Sequence, residues 1–416
     1  MAHQRLINLR TPADRELLGL CIIVGVAFSA WSMTIPLVPL FLISMDASPS
    51  VLGAVVSFGA FASLLIAVPG GRLAGTWGSA VLMHRAILYC IASTVLLALF
   101  PSIPGLFVGL ALFDMGKLLF VLAAQTHVGN LGEGRDLGLD YGWYGTAAAV
   151  GQLVGPALAG VLIDQAGYVV TWWVIAGLSA LAFLALPRLI RLRNRRAAVP
   201  QRTAGDPPAG EAEKTNAPKV KKNLRYYLNT NAVIAILASF AVLFADGARG
   251  TFFPVLMDEF GYSATVIGVF LSVRALVSIS VRFFMARLSR TLGGRFPALI
   301  FSIVSLALGI ALTPFCKGYV ALSLNSILVG IGLGMALPLS MATVSEGVAP
   351  EDRGVAMGIR LTGNRLAQLS NPLFFGVLAQ RFGFTVAFLA GGALLLACAA
   401  PMALWWKRRT PAGGII

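Results

Sequence analysis

Residues Pro49–Gly78 read PSVLGAVVSFGAFASLLIAVPGGRLAGTWG, and residues Ala264–Gly293 read ATVIGVFLSVRALVSISVRFFMARLSRTLG. Gly53 falls on Gly268, Ser57 on Ser272, Arg72–Leu73 on Arg287–Leu288 and Gly78 on Gly293, all 215 positions apart. The likeness reaches back to residue 30, with Pro39 on Pro254. Further along, the offset becomes 216: Asp136, Gly138, Gly142, Thr146, Gln152, Pro156, Gly160 and Gly167 fall on Asp352, Gly354, Gly358, Thr362, Gln368, Pro372, Gly376 and Gly383. Two copies of one long apolar pattern predict two similar membrane bundles with a ligand site at their seam.

Composition agrees. Hydrophobic residues make up 57% of the 416-residue chain and charged residues 12%, against roughly 25% charged in a soluble domain. The apolar runs are long enough to cross ~30 Å of hydrocarbon as helices. They do not alternate as barrel strands would. Twelve runs are predicted, at 17–40, 51–70, 81–100, 104–127, 141–163, 168–187, 231–256, 262–284, 297–314, 319–343, 354–378 and 384–405. The expected fold is therefore an all-α integral membrane protein, twelve transmembrane helices in two pseudo-symmetric six-helix bundles. Residues 1–190 form the first bundle and 231–416 the second.

Between them, residues 191–230 carry Arg191, Arg193, Arg195 and Arg196, then Pro200, Pro207, Pro208 and Pro218, then Lys219, Lys221, Lys222 and Arg225. A proline-rich, charged, weakly apolar stretch reads as a cytoplasmic linker. The net charge of +15 follows the same asymmetry. With the N-terminus inside, the six outer connections hold Lys317 and Arg381 as their only basic residues. This positive-inside pattern places both termini in the cytoplasm and is a better account of the charge than nucleic-acid binding. Arg5, Arg10, Asp14, Arg15 and Glu16 precede a first run too long for a signal-peptide core. Cys21, Cys90, Cys316 and Cys398 are too scattered for a disulfide framework or a metal site, and neither a metal nor a cofactor is expected. His3, His84 and His127 are scattered too, with His127 a minor candidate for carrying protons.

Charges inside apolar runs are costly unless paired or facing water. Asp114 and Lys117 in the fourth span are three apart, as are Asp246 and Arg249 in the seventh. That spacing places each pair on one helical face. Each is either an internal salt bridge or a carboxylate that exchanges its cation for a proton or a ligand. Arg274 in the eighth span and Arg360 and Arg365 in the eleventh have no acid at such spacing, and Asn364 shares a face with Arg360. Five bases against two acids call for an anion, and guanidinium forks suit carboxylate or phosphate. By the repeat, Arg274 corresponds to Gly59, Arg360 to Tyr144, Asn364 to Ala148 and Arg249 to Thr34. The second half is thus the polar one. The first offers Trp31, Trp143 and Tyr144, so the expected cavity suits an amphipathic organic anion.

Twelve spans, a central basic loop and two related halves resemble the major facilitator superfamily, across nearly the whole chain. Gly71-Arg72-Leu-Ala-Gly-Thr-Trp-Gly78 is similar to that family's signature cytoplasmic loop, although Gly75, Ser79 and Ala80 replace its usual acid and bases. The second copy, Arg287 to Arg295, keeps more basic residues. Gly151-Gln-Leu-Val-Gly155-Pro156-Ala-Leu-Ala-Gly160 is similar to the family's antiporter motif, departing at Ala159. Leu110 stands where the family has an arginine. Glycines four apart would also serve simple helix packing.

The resemblance implies alternating access: two bundles rock about a midplane site and the loop gates them. It points to bacterial proton-coupled efflux members, working as monomers in the inner membrane. The expected function is antiport, exporting a small amphipathic organic anion or drug-like compound. Substrate would be bound by Arg274, Arg360, Arg249, Asn364, Lys117, Tyr144 and Trp31, with the coupling proton on Asp246 or Asp114. Uptake by symport of an organic anion and flipping of a lipid-linked substrate are the alternatives. An enzyme is not expected: no nucleophile stands with a base, and there is no phosphate loop.

Overall fold

The computed structural model describes residues 12–131, 137–197, 230–346 and 353–409. Apart from one short 3-10 turn, every regular element among them is an α-helix. In chain order these are α1 (Pro12–Ser32), α2 (Thr34–Ile43), α3 (Pro49–Thr76), α4 (Ser79–Leu99), α5 (Ile103–Gly129), α6 (Leu137–Ala197), α7 (Thr230–Glu259), α8 (Ala264–Thr291), α9 (Arg295–Leu312), α10 (Tyr319–Glu346) and α11 (Arg353–Arg409). Most of the linker expected at 191–230 lies outside the described residues.

Among the described residues, ten apolar segments are long enough to cross a membrane. Two of them, 51 and 45 residues long, would run to roughly 75 and 70 Å if straight. Neither is straight. α6 breaks at Gly167 (φ 81°, ψ 175°) and α11 at Gly383 (φ 81°, ψ 165°). An L side chain is strained at such angles, whereas glycine adopts them freely. Each glycine break divides one long helix into two arms.

The repeat is visible in the backbone. Ser48 caps α3 by accepting from the Val51 N–H, and Ser263, 215 residues on, caps α8 by accepting from Val266, both at 3.4 Å. Gly78 and Gly293, also 215 apart, take φ of 80° and 85° just beyond α3 and α8.

We call the face holding the start of α1 proximal and the face holding the connections 44–48 and 260–263 distal. The bundles meet through two related seams, α3 on the second bundle's α11 and α6 on α8. Both are made of glycine against backbone. A Cβ on Gly53 would overlap the Pro372 carbonyl, and one on Gly376 would lie 2.7 Å from the Pro49 oxygen. In the other seam, a Cβ on Gly268 would overlap the Pro156 carbonyl and one on Gly160 the Ala264 carbonyl. Hydrogen bonds reinforce both. Ser50 donates to Gly376 O (3.3 Å) and Ser57 to Leu369 O (3.1 Å). Asp164 on α6 accepts from the first two N–H groups of α8, Ala264 at 3.0 Å and Thr265 at 2.8 Å. A carboxylate on a helix N-terminus satisfies otherwise orphaned donors and suits the helix dipole. These contacts seal the distal side, and cavities between the bundles continue from the seal toward the proximal face.

Candidate functional site

A cavity of about 230 Å³ lies between the bundles. Thr34, Ile35, Val38 and Pro39 line it from α2, and Leu110, Phe113, Asp114 and Lys117 from α5. Opposite stand Asp246, Gly247, Gly250 and Thr251 of α7 and Arg274 of α8. Asp114, Lys117 and Asp246 also line an adjoining space of about 320 Å³, together with Arg365 and Gln368. A third, of about 460 Å³, reaches toward the proximal face between Gln125, Tyr144 and Gln152 on one side and Arg274, Ser278 and Arg282 on the other.

Each bundle sets one ion pair on this cavity. Lys117 Nζ lies 2.6 Å from Asp114 Oδ1, the one-turn pair expected from the spacing. The other expected pair does not form. Asp246 instead pairs with Arg274 Nη1, 28 residues away on the neighbouring helix. The Asp246 side chain remains 51% exposed in the cavity, while Arg274 is buried around it. At Gly59, where the first bundle's counterpart of Arg274 stands, a Cβ would crowd the Asp114 carboxylate. The first bundle thus leaves a gap where the second places a guanidinium, and Asp114 occupies it.

Three sequence candidates face elsewhere. Arg249 is completely buried behind the cavity. It donates to Asn325 Oδ1 and Ser326 Oγ, both at 3.0 Å, and to Thr313 Oγ1 at 3.5 Å, and it stacks 3.7 Å above the Phe253 ring. Hydrogen bonds and a cation–π contact offset part of the cost of taking a charge out of water. Arg360 is 1% exposed, donating to Ser239 Oγ (2.8 Å) and Ser340 Oγ (3.1 Å). Trp31 is packed among Phe28, Phe113 and Phe120, edge-on to the last two. None of these three lines the three cavities, and neither does Asn364, half-buried one turn after Arg360. Tyr144 does line the proximal cavity.

Gln152 and Gln368, read from the sequence only as a repeat match, line these cavities; sequence reading passed over Gln125, which also lines them, and Ser239, Thr313, Asn325, Ser326 and Ser340, which hold the buried arginines. Their signal is a polar residue interrupting an apolar run, too common in such helices to rank without neighbours in view. Arg282 also lines the proximal cavity.

The glycines of the 151–160 stretch serve two neighbours. A Cβ on Gly151 would lie 2.7 Å from Gly25 O and Ser29 N of α1, and one on Gly155 would crowd Ser29 and Ser32. Ser32 Oγ donates to Gly151 O at 2.9 Å. Gly160 and the Pro156 carbonyl face α8 across the seam. In the expected gating loop, Gly78 ends its turn with positive φ and Arg287 is exposed near the proximal end of α8, with Arg295 half-buried at the start of α9. The Gly71 and Arg72 side positions lie outside the described residues.

Comparison with known proteins bears on the whole assembly. A family model described as Major Facilitator Superfamily matches residues 20–248 and 235–414. Multidrug resistance protein 2 of Bacillus subtilis (strain 168) is 19% identical over 394 residues, covering 94% of this chain and 95% of that protein. The class H tetracycline resistance protein of Pasteurella multocida is 22% identical over 83% of this chain and 84% of its own length. The inner membrane transport protein YnfM of Escherichia coli (strain K12) is 24% identical over 211 residues, 49% of each chain. Among solved structures, an inward-facing, unoccupied bacterial homolog of the human lysosomal transporter Spinster superposes with a TM-score of 0.77 at 14% identity, covering 97% of this chain and 100% of that one. The nucleoside transporter NupG gives 0.69 at 16%, covering 94% and 99%.

Proposed function

The chain belongs to the major facilitator superfamily, and from that premise we propose that it exports a small amphipathic organic compound bearing an anionic group, by proton-coupled alternating access. The observation that carries this reading is the Asp246–Arg274 pair standing in a cavity between the bundles. Arg274 is the group that holds the acid of the substrate. Asp246, exposed beside it, carries the coupling proton, with Asp114 beside Lys117 as its counterpart across the cavity. Phe113, Val38, Val56 and Leu110 hold the apolar part, and Tyr144 lines the route to the proximal face.

Export is supported by relatives whose names are those of multidrug and tetracycline resistance proteins. With the basic inner connections in the cytoplasm of a bacterial inner membrane, the proximal face is inside, and a sealed distal side corresponds to an inward-open state. In this plan residues 1–190 and 231–416 are the moving bundles, 191–230 is their link, and the working unit is a monomer. Arg249, Arg360 and Trp31 act from behind the cavity wall, holding the helices that shape it.

Uptake by symport is the second reading, and one observation favours it. An anion that captures Arg274 takes away the partner of Asp246, so the anion and a proton would bind together rather than in turn. The test is flux in sealed vesicles with an imposed pH gradient and radiolabelled members of an organic-anion panel. Accumulation on the acidic side supports proton-driven export. Accumulation on the alkaline side supports symport. Flux that ignores the gradient and is unchanged in Asp246→Asn removes the coupling role.

A further inference from the structure

We infer that the cavity between the bundles takes a zwitterion: one compound that presents a carboxylate to Arg274 or Lys117 and an ammonium to Asp246 or Asp114. The inference rests on the transport site proposed above and narrows its substrate class.

The charges lining the 230 Å³ cavity cancel. Asp114 and Lys117 come from the first bundle, Asp246 and Arg274 from the second, and the rest of the wall is apolar or small. Both pairs face the open space, since three of the four residues also line the adjoining cavity. A simple anion that takes Arg274 strips Asp246 of its ion-pair partner, since Arg282 and Arg365 on the adjoining cavities lie beyond ion-pair distance, and sets two carboxylates side by side. Taking Lys117 does the same to Asp114. A simple cation orphans a base instead. A compound carrying both groups exchanges partner for partner, and each of the four protein charges keeps an opposite neighbour.

Export gives a second, independent reason. Proton exchange requires that substrate and proton exclude one another. An anion on Arg274 does not exclude a proton from Asp246, as the symport reading above makes plain. An ammonium does, because it claims the same carboxylate that the proton would occupy. The zwitterion therefore reconciles a basic residue in the site with the direction that the relatives support.

Occupancy would also reach the bundles. In the empty site each pair is satisfied within its own bundle, Asp114 with Lys117 and Asp246 with Arg274. A ligand whose carboxylate sits on Arg274 and whose ammonium lies between Asp246 and Asp114 ties one bundle to the other. It turns two internal pairs into a cross-bundle bridge, an interaction that differs between the open and occluded states, as substrate-driven closure demands.

The test is binding to the full chain purified in detergent. Six probes are titrated by calorimetry with thermal shift alongside: phenylalanine and phenylalanyl-phenylalanine, the N-acetyl form of each, and the C-terminal amide of each. The expected result is that a free zwitterion binds about tenfold or more tightly than both of its blocked forms, the effect of one lost charge-assisted contact. Arg274→Gln should reduce the zwitterion to the level of its amide, and Asp246→Asn to the level of its N-acetyl form. The unliganded unfolding temperature of each variant checks its folding. N-acetyl anions binding as tightly as zwitterions would overturn the inference while leaving the anion-transport reading in place. Binding by the amides alone would overturn both. Failure of all six to bind a well-folded wild-type chain would overturn the zwitterion assignment, and the vesicle flux assay would then judge the transport reading by itself.

Discussion

Replacing Gly268 by alanine puts the distal seal under a measurable load. The added Cβ would lie 2.9 Å from the Pro156 carbonyl carbon and 3.2 Å from the Ala157 Cα, where carbon atoms prefer about 3.5–4.0 Å. The obstacle is main chain on both sides, so no rotamer relieves it and the bundles must separate locally by roughly half an ångström or more. Overpacking of this kind costs about 1–3 kcal/mol. Only the distal-closed state bears that cost. The usual gain from alanine over glycine in a helix is common to both states and cancels. The closed-to-open ratio should therefore fall by about 5- to 150-fold. The readout is alkylation of a cysteine introduced at Gly250, in a chain whose four native cysteines have been replaced. Gly250 lines the cavity, and a Cβ there meets only Ile35 Cγ2, at 3.7 Å. A membrane-impermeant maleimide added on the distal side should react faster by that factor while the distal-open state remains the minority. Gly53→Ala, loading the related seam, should act likewise. Gly177→Ala, with nothing within 4 Å, should leave the rate alone. An unchanged or slower rate in Gly268→Ala would refute the placement of the seal.

Asp164→Asn keeps the shape of the α6–α8 contact but removes its charge, and should weaken the seal by about 1–2 kcal/mol, raising the same alkylation rate about 5- to 30-fold. Arg249→Ala should lower unfolding stability by about 3–5 kcal/mol, since it leaves a hole, orphans buried Ser326 and takes the shorter of two donors from Asn325 Oδ1, yet ligand affinity should hold; calorimetric binding beside denaturation separates the two. Arg274→Ala should behave in the opposite sense, losing about 2–3 kcal/mol of binding to carboxylate-bearing probes with little change in unfolding. Asp246→Asn should abolish gradient-driven accumulation in vesicles, while exchange between labelled and unlabelled substrate persists once substrate is raised to saturate the roughly tenfold weaker site; loss of exchange even at saturation would mean that its role is structural.

The sequence carried the architecture because the architecture is written twice. Ser48 and Ser263, Gly78 and Gly293, Gly167 and Gly383 each perform one backbone task at two places, and a repeated task leaves a repeated residue. The charged site was only half legible for a physical reason. Asp114–Lys117 and Asp246–Arg249 have the same spacing, and spacing says only that two side chains share a helical face. Whether they pair depends on what the neighbouring helices bring. Arg274 reaches Asp246 from α8, and Asn325, Ser326 and Thr313 draw Arg249 away behind the cavity wall. Trp31 illustrates the same gap: its neighbours Phe113 and Phe120 are some eighty positions distant in the chain, and they make it core.

The distal seams join carbonyls to glycines, and every residue type brings the same carbonyl. Even the side chains that reinforce them, Ser50, Ser57 and Asp164, bond to main-chain groups, so such a closure reads no side chain of the opposite bundle. What it requires is the absence of side chains at Gly53, Gly160, Gly268 and Gly376, and that requirement is indifferent to the compound being carried. The groups proposed to discriminate are held apart from it, on other residues around the cavity. If the proposed site is right, a lineage built on this plan can rewrite Asp114, Lys117, Asp246 or Arg274, and with them its choice of cargo, while the glycine seams go on closing in the same way.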